Sequence, residues 1–206
     1  MNEQTLTIID VETTGGSSYF SRVIEIGAIR VERGEVTATY QTLLNPGEPI
    51  PSFITKLTGI SDKDVAAAPS FDEVKDEVLA LFEGSTFVAH NAPFDYGFIK
   101  EEFRRLGYGF TVDTLCSVRL SRALFPEHKR HNLDEIIKRF AITCEQRHRA
   151  LDDASVVWEF MQRLETEFPS TKIAKALKQA TSRRMKTPQR AAPEKTSPGN
   201  VIYEPL

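Results

Sequence analysis

Two acidic side chains, Asp10 and Glu12, lie near the start of the chain in the segment 8–15 (IIDVETTG). The apolar residues before them predict a short β-strand, and side chains alternate across a strand, so both carboxylates share one face. If the strand is buried, the two groups lose hydration and repel each other, a cost that a bound divalent cation offsets. For an isolated Asp-x-Glu pair, a solvated face on an edge strand is the alternative. The apolar run favours a buried strand.

Acidic residues also occur where two predicted helices begin. Asp95 falls in the first turn of a helix that follows a strand, where the helix dipole favours an acid even without a further role. His148 directly precedes another helix, whose first turns carry Asp152 and Asp153. These two carboxylates point about 100° apart, so only one can face a shared site while the other faces solvent. For His148 alone, a surface pair with a carboxylate is the simpler interpretation.

Together these side chains predict one oxygen-rich pocket, made by Asp10, Glu12, Asp95, Asp153 and His148. Oxygen ligands of this kind suit Mg²⁺ or Mn²⁺. Two such ions about 3.5–4 Å apart can hold a phosphodiester, activating water on one side and stabilising the leaving oxygen on the other. A neutral histidine can take the proton of the attacking water, since its ordinary pKa lies near neutrality.

The sequence predicts the strands and helices that must position these residues. Three β-rich runs come first, and predicted helices and strands alternate after them. A short turn at 32–35 joins the second and third β-rich runs and is typical of a hairpin. This order predicts an α/β fold, a mixed sheet with helices on its faces. The predicted strands are 6–11, 23–31, 36–44, 86–89 and 111–113, and the predicted helices are 52–57, 62–66, 70–82, 94–106, 114–123, 132–140 and 150–167.

Composition excludes several classes of protein. The chain has 206 residues, 40% hydrophobic and 27% charged, as in an ordinary soluble domain. Its two cysteines, Cys116 and Cys144, are too few for a disulfide scaffold or a zinc site built on cysteine pairs. The N-terminus has no signal-peptide pattern, and no apolar run approaches the ~20 residues that span a bilayer. We therefore expect a cytoplasmic protein that does not enter a membrane.

Charge divides the chain unevenly. Residues 170–206 carry eight basic and two acidic side chains, whereas the remainder has a net charge of −9. The same segment is rich in proline and poor in large apolar residues after Met185, so it cannot bury enough surface to fold alone. We predict one domain over 1–169, a basic helix over about 170–185 and a flexible arm from 186. Asn200–Leu206 is a candidate docking peptide, with a solvated linker as the alternative.

The three acidic segments resemble the motifs of a known family. Their patterns are D-x-E-T-T-G at 10–15, H-N-A-x-F-D at 90–95 and H-x-A-x-x-D-A at 148–154. In this order and spacing they resemble the DEDDh-type, DnaQ-like 3′–5′ exonucleases, and the chain is similar to the exonuclease domain of the DNA polymerase III epsilon subunit. The resemblance extends over roughly residues 5–167, with lesser matches at 22–27 (RVIEIG), 57–61 (LTGIS), 113–115 (DTL) and 131–133 (HNL).

This resemblance implies an RNase H-like fold with a mixed sheet of about five strands, so that 1–169 would be the exonuclease domain. It also implies two bound Mg²⁺ or Mn²⁺ ions and a role for each pocket residue. Asp10 would bridge both ions, Glu12 and Asp153 would help to hold the ion that carries the nucleophilic water, Asp95 would serve the second ion, and His148 would be the general base.

Residues beside the pocket are expected to contact the substrate. The backbone of Thr13, Thr14 and Gly15 would approach the terminal nucleotide, because glycine permits close contact. Leu57 and Phe94 are candidates for packing on the last bases, with ordinary core packing as the alternative.

Three polar residues would support these contacts. Asn91 is a candidate substrate contact together with His90, which we expect to order its loop rather than to perform catalysis. Glu25 would either support the site from behind or pair with a basic residue at the surface.

The implied activity is the release of nucleoside 5′-monophosphates from the 3′ end of single-stranded or frayed DNA, in proofreading or repair. An RNA-trimming exonuclease of the same fold is one alternative, because the motifs do not separate the two and no contact for a 2′-hydroxyl can be identified. Another is an accessory subunit that docks on a polymerase, or on another replication or repair protein, through the C-terminal tail.

Overall fold

The chain folds around one mixed β-sheet. A computed structural model describes residues 4–182, and the strands in this range are β1 (Leu6–Thr13), β2 (Val23–Glu32), β3 (Glu35–Leu43), β4 (Thr86–Ala89), β5 (Thr114–Cys116) and β6 (Thr181–Ser182). Their order across the sheet is β3-β2-β1-β4-β5-β6. β1 to β3 form an antiparallel meander, whereas β4 runs parallel to β1 and β5 parallel to β4. The predicted mixed α/β sheet is confirmed.

Two details of the sheet differ from the sequence prediction. The fifth strand is Thr114–Cys116 rather than 111–113, because Leu115 and Cys116 supply the buried side chains. The sheet has six strands within residues 4–182 rather than about five, because Thr181–Ser182 pairs antiparallel with β5. A strand of two polar residues has no hydrophobic period and pairs only through its backbone, so pattern reading missed it.

Helices cover both faces of the sheet. Ile9 and Val11 of β1 lie in a core cluster that contains α3 and α4 residues, whereas Leu6 and Ile8 lie in a cluster with residues of α5 to α8. β1 is therefore a central strand packed on both sides, as its apolar run predicts. The helices of residues 4–182 are α1 (Ser52–Thr58), α2 (Asp62–Val65), α3 (Phe71–Leu81), α4 (Pro93–Arg105), α5 (Ser117–Leu124), α6 (Leu133–Phe140), α7 (Ala150–Glu167) and α8 (Ser170–Ala180).

The first part of the basic C-terminal segment packs on this core. Ala176 and Ala180 of α8 are buried in the same cluster as Ile8 and Phe160, and β6 then continues the sheet. The division at residue 170 stays a prediction. The predicted flexible arm 186–206, with the candidate docking peptide, lies outside the described residues. Within residues 4–182, no helix has the length and apolar character needed to cross a bilayer.

Candidate active site

Asp10 and Glu12 project from the central strand β1 toward α7. They alternate with Ile9 and Val11, which pack into the cluster on the opposite face. Asp10 lies opposite Gly27 of the neighbouring strand β2 in the antiparallel ladder. The predicted shared face for the two carboxylates is confirmed.

Asp95 joins them from the start of α4. Pro93 lies at the first helical position, where its missing N–H costs nothing. The Asp95 side chain is 2% exposed, and its Oδ1 accepts a hydrogen bond from the backbone N–H of Val11 at 3.2 Å. This bond holds the beginning of α4 against β1 between Asp10 and Glu12.

Helix α7 brings the third acidic segment to the same place. Ligand atoms of Glu12, His148 and Asp153 all lie within 4.8 Å of one another. His148 has a left-handed backbone, with φ 62°, in the turn just before the helix. Asp153 is buried, while Asp152 is half exposed, so the neighbouring acids point apart as helical geometry requires.

Burial and mutual repulsion raise the pKa values of these carboxyls. Burial raises the pKa of Asp10 well above its ordinary value, and the charges of Asp95, Asp153 and Glu12 raise it further. Burial, followed by the charge of Asp153, raises the pKa of Glu12 to about 8. Burial also raises the pKa of Asp95 to about 8. The charges of neighbouring acids raise the pKa values of Asp10, Glu12 and Asp95, so these three carboxyls and Asp153 form a cluster that favours a bound cation.

Arg147 is a member of the site that sequence reasoning missed. Its guanidinium donates from Nη1 to Oδ2 of Asp153 and from Nε to Oδ1 of Asp134, the latter at 2.7 Å. Burial raises the pKa of Asp153, and the hydrogen bond and charge of Arg147 oppose that rise. The available signal was its position directly before His148. Within residues 4–182, Oδ1 of Asp153 is buried and has no hydrogen-bond partner, so it is free to bind a cation.

Gly27 and Glu25 of β2 position the N-terminus of α7. A Cβ at residue 27 would lie 2.1 Å from the backbone nitrogen of Leu151, so only glycine allows this helix to approach the strand so closely. Glu25 is fully buried and accepts hydrogen bonds from Arg149 Nη2 at 2.7 Å and from the backbone N–H of Ala150 at 3.0 Å. Glu25 therefore both pairs with a basic residue, Arg149, and supports the site, because these bonds fix the helix that carries Asp153.

The loop that follows β1 is closely packed. Thr13 Oγ1 donates to the carbonyl of Gly15 at 2.8 Å, and Thr14 Oγ1 donates to Glu48 at 2.7 Å. A Cβ on Gly15 would lie 2.7 Å from Oγ of Ser21, so this glycine also has a role in packing the loop on itself. The predicted backbone contact of Thr13–Gly15 with a nucleotide stays a prediction.

The remaining substrate-contact candidates differ in exposure. Leu57 on α1 is 51% exposed, which disfavours ordinary core packing and leaves it free to contact a ligand. Phe94 is half buried against Phe98, with ring centroids 4.8 Å apart. Asn91 is exposed with a left-handed backbone, and His90 bonds Ser117 through Nδ1 at 2.8 Å. Burial lowers the pKa of His90 to about 4, so it stays neutral, in keeping with a role in ordering its loop.

Comparison with known proteins identifies relatives for this arrangement. A family model described as exonuclease (RNase T) matches residues 7–161. The chain is 37% identical over 186 residues to "3'-5' exonuclease DinG" of Bacillus subtilis, covering 87% of this chain and 20% of that protein. It is 39% identical over 164 residues to "DNA polymerase III PolC-type" of Caldanaerobacter subterraneus, covering 79% of this chain and 12% of that protein. The chain thus spans a fifth or less of each relative's length.

The solved structures agree on the fold. The chain superposes on E. coli Exonuclease I in complex with a dA16 oligonucleotide with a TM-score of 0.74 at 18% identity, covering 84% of this chain and 42% of that one. At this identity the likeness concerns the path of the backbone, which is that of an RNase H-like exonuclease domain.

Proposed function

The chain belongs to the DEDDh-type, DnaQ-like exonuclease family, and we propose that it hydrolyses phosphodiester bonds from the 3′ end of DNA and releases nucleoside 5′-monophosphates one at a time. The observation that supports this most strongly is the convergence of Asp10, Glu12, Asp95 and Asp153, from one strand and two helices, into a single acidic cluster beside His148, in which Asp10 and Glu12 are half-buried and Asp95 and Asp153 are buried. Four acids in such a cluster oppose folding unless they serve a ligand, because each loses hydration and repels the others.

The donor set fits the divalent metal ions that this family uses. We propose Mg²⁺ or Mn²⁺ because every proposed ligand is a carboxylate oxygen. We propose two ions because the resemblance to this family implies two. Asp10, Glu12 and Asp153 would hold one ion, and Asp10 together with Asp95 the other. The buried Oδ1 of Asp153, unpartnered within residues 4–182, is an oxygen ready for this role. When bound, such ions lower the pKa of a water molecule and stabilise charge on the leaving oxygen.

We propose that His148 accepts a proton during hydrolysis. Its ring lies beside Glu12 and Asp153, and its left-handed backbone places it before the first turn of α7 rather than within the helix. We propose that a ring nitrogen takes the proton of the attacking water and later returns it to solvent. Arg147 holds Asp153 in place and partly neutralises it.

DNA is the proposed substrate because the relatives named above include a DNA polymerase III. RNA is the competing substrate, because the sequence motifs do not separate DNA exonucleases from RNA-trimming exonucleases of the same fold. Docking on a polymerase or another replication or repair protein through the C-terminal tail is a further proposal, supported only by the same relatives and by the basic composition of that segment.

The test is metal-dependent digestion of 5′-labelled single-stranded DNA and RNA of matched sequence by the wild-type chain and by Asp153→Asn. Asp152→Asn is the matched control, because it removes the same charge from the adjacent, half-exposed position. We expect shortening from the 3′ end, loss of at least ~10²-fold in rate for Asp153→Asn, and a nearly unchanged rate for Asp152→Asn. Equal rates for wild type and Asp153→Asn would refute the site, and faster digestion of RNA would reassign the substrate.

A further inference from the structure

Two bulky aromatic side chains lie exposed on the loop between β1 and β2. Tyr19 is 67% exposed and Phe20 is 79% exposed, the highest values among the large hydrophobic residues of residues 4–182. Their rings contact each other edge to face, with centroids 4.9 Å apart. We call residues 17–21 the aromatic turn. Two adjacent exposed rings on one turn are a contiguous apolar surface, unlike the single exposed residues that any protein has.

The aromatic turn is held in one conformation by hydrogen bonds to its backbone. The backbone N–H groups of Phe20 and Ser21 both donate to the carbonyl of Ser17, at 3.1 and 2.8 Å. From outside the turn, Nη2 of Arg105 donates to three carbonyls, those of Ser18, Tyr19 and Ser21. The two rings are exposed, but the backbone that carries them is already fixed. A ligand that binds to the rings therefore costs less conformational entropy than one that must first order the loop.

The anchors of the turn belong to the helix that carries Asp95. Arg105 is on α4 and also donates to Glu102, which is 1% exposed. Glu102 receives two further hydrogen bonds from Arg22, both of 2.9 Å, at the point where the chain returns to β2. The base of the loop closes through the backbone bond from Thr14 N–H to the carbonyl of Arg22. The aromatic turn is thus fixed relative to the acidic cluster.

Position and charge point to a ligand of the same kind as the substrate. β1 ends at Thr13, one residue after Glu12, so the loop that carries the aromatic turn begins directly beside the acidic cluster in the sequence. The side chain of Arg104 is 61% exposed, pairs with Glu101 and lies near Tyr19. Exposed rings next to arginine side chains are typical of surfaces that bind single-stranded nucleic acid, where bases stack on the rings.

We propose that the aromatic turn is a stacking platform for unpaired bases of the substrate strand, upstream of its 3′-terminal nucleotide. This rests on the proposed function, because it assumes a nucleic-acid strand in the site. A protein partner is the competing occupant, but two rings bury at most about 500 Å², whereas a stable interface takes about 800 Å² from each partner. Stacked bases need only the ring faces that the turn presents.

The test compares wild type with the double variant Tyr19→Ala/Phe20→Ala on a dinucleotide and on a single-stranded dodecamer. Val36→Ala is the control, since Val36 is exposed on β3 near the hairpin turn, at the end of the sheet away from Glu12. We expect KM for the dodecamer to rise by roughly 10-fold or more. Hydrolysis of the dinucleotide should change far less, and the salt dependence of KM should stay the same because no phosphate contact is removed.

Binding of a fluorescent dodecamer in EDTA, followed by anisotropy, separates this proposal from the proposed function. Weaker binding by the double variant supports the platform even if neither substrate is hydrolysed, an outcome that would refute only the exonuclease proposal. Unchanged binding and unchanged KM for the dodecamer would overturn the platform while leaving the exonuclease activity standing. An equal loss on dinucleotide and dodecamer would also overturn it, because the effect would then lie in the acidic site.

Discussion

Replacing Gly27 by alanine should disrupt the active site by displacing the N-terminus of α7, the helix that carries Asp153. The added Cβ would lie 2.1 Å from the backbone nitrogen of Leu151 and 2.3 Å from the carbonyl carbon of Ala150, whereas ordinary contacts begin at 3.4 Å. Both neighbours are backbone atoms of α7, so no side-chain rotation relieves the clash. The helix and β2 must therefore separate by about 1 Å in a close-packed interior.

This separation has two measurable costs. Overpacking of a core contact costs about 1–3 kcal/mol, and each kcal/mol lowers the melting temperature of a domain of this size by about 2–4 °C. The same movement carries Asp153 away from Asp10, and a misplacement of about 1 Å can cost ~10²-fold in rate. We therefore expect Gly27→Ala to lose much more activity than its fall in stability would explain at room temperature.

The assay is the initial rate of 3′-end digestion at saturating Mn²⁺, measured well below the melting temperature of each variant. Gly109→Ala is the matched control, because a Cβ at residue 109 would meet no atom within 4 Å and the residue has no positive φ. If Gly27→Ala has the rate and melting temperature of Gly109→Ala, the argument that close approach of α7 builds the site is wrong.

Two further predictions concern the histidine and the acids. His148→Ala should lose ~10²–10⁴-fold in kcat while keeping Mn²⁺ binding by calorimetry; an unchanged kcat would exclude it as the base. In EDTA, the melting temperature should fall as the pH rises from about 5 to 8, because folded Glu12 and Asp95, each with a pKa of about 8, hold protons that the unfolded chain has released. Stabilisation by Mn²⁺ should grow over the same interval, and a melting temperature that rises in EDTA would contradict this.

The sequence predicted the elements of the site well because the site lies where patterns are strong. The alternation around Asp10 and Glu12 has the period of a strand, and Pro93 marks the start of α4 within one residue of the prediction. The helix over 150–167 was predicted with its observed bounds, since its apolar residues recur at helical spacing.

The supports of the site were not predictable in the same way. Arg147 and Gly27 act through contacts with residues distant in sequence or in another element, and no local period marks them. The pairing of Glu25 with Arg149 joins positions more than a hundred residues apart. Supporting residues of this kind can be identified only from the three-dimensional structure, because their partners are brought close by the fold and not by the sequence.

The most direct test of the central claim is anomalous diffraction from crystals soaked in Mn²⁺. The four carboxylates are predicted to bind manganese as one site, so the anomalous peaks should lie among Asp10, Glu12, Asp95 and Asp153, with His148 beside them. Peaks that lie elsewhere, with the pair from Arg147 to Asp153 intact and these carboxylates unbound, would contradict the account.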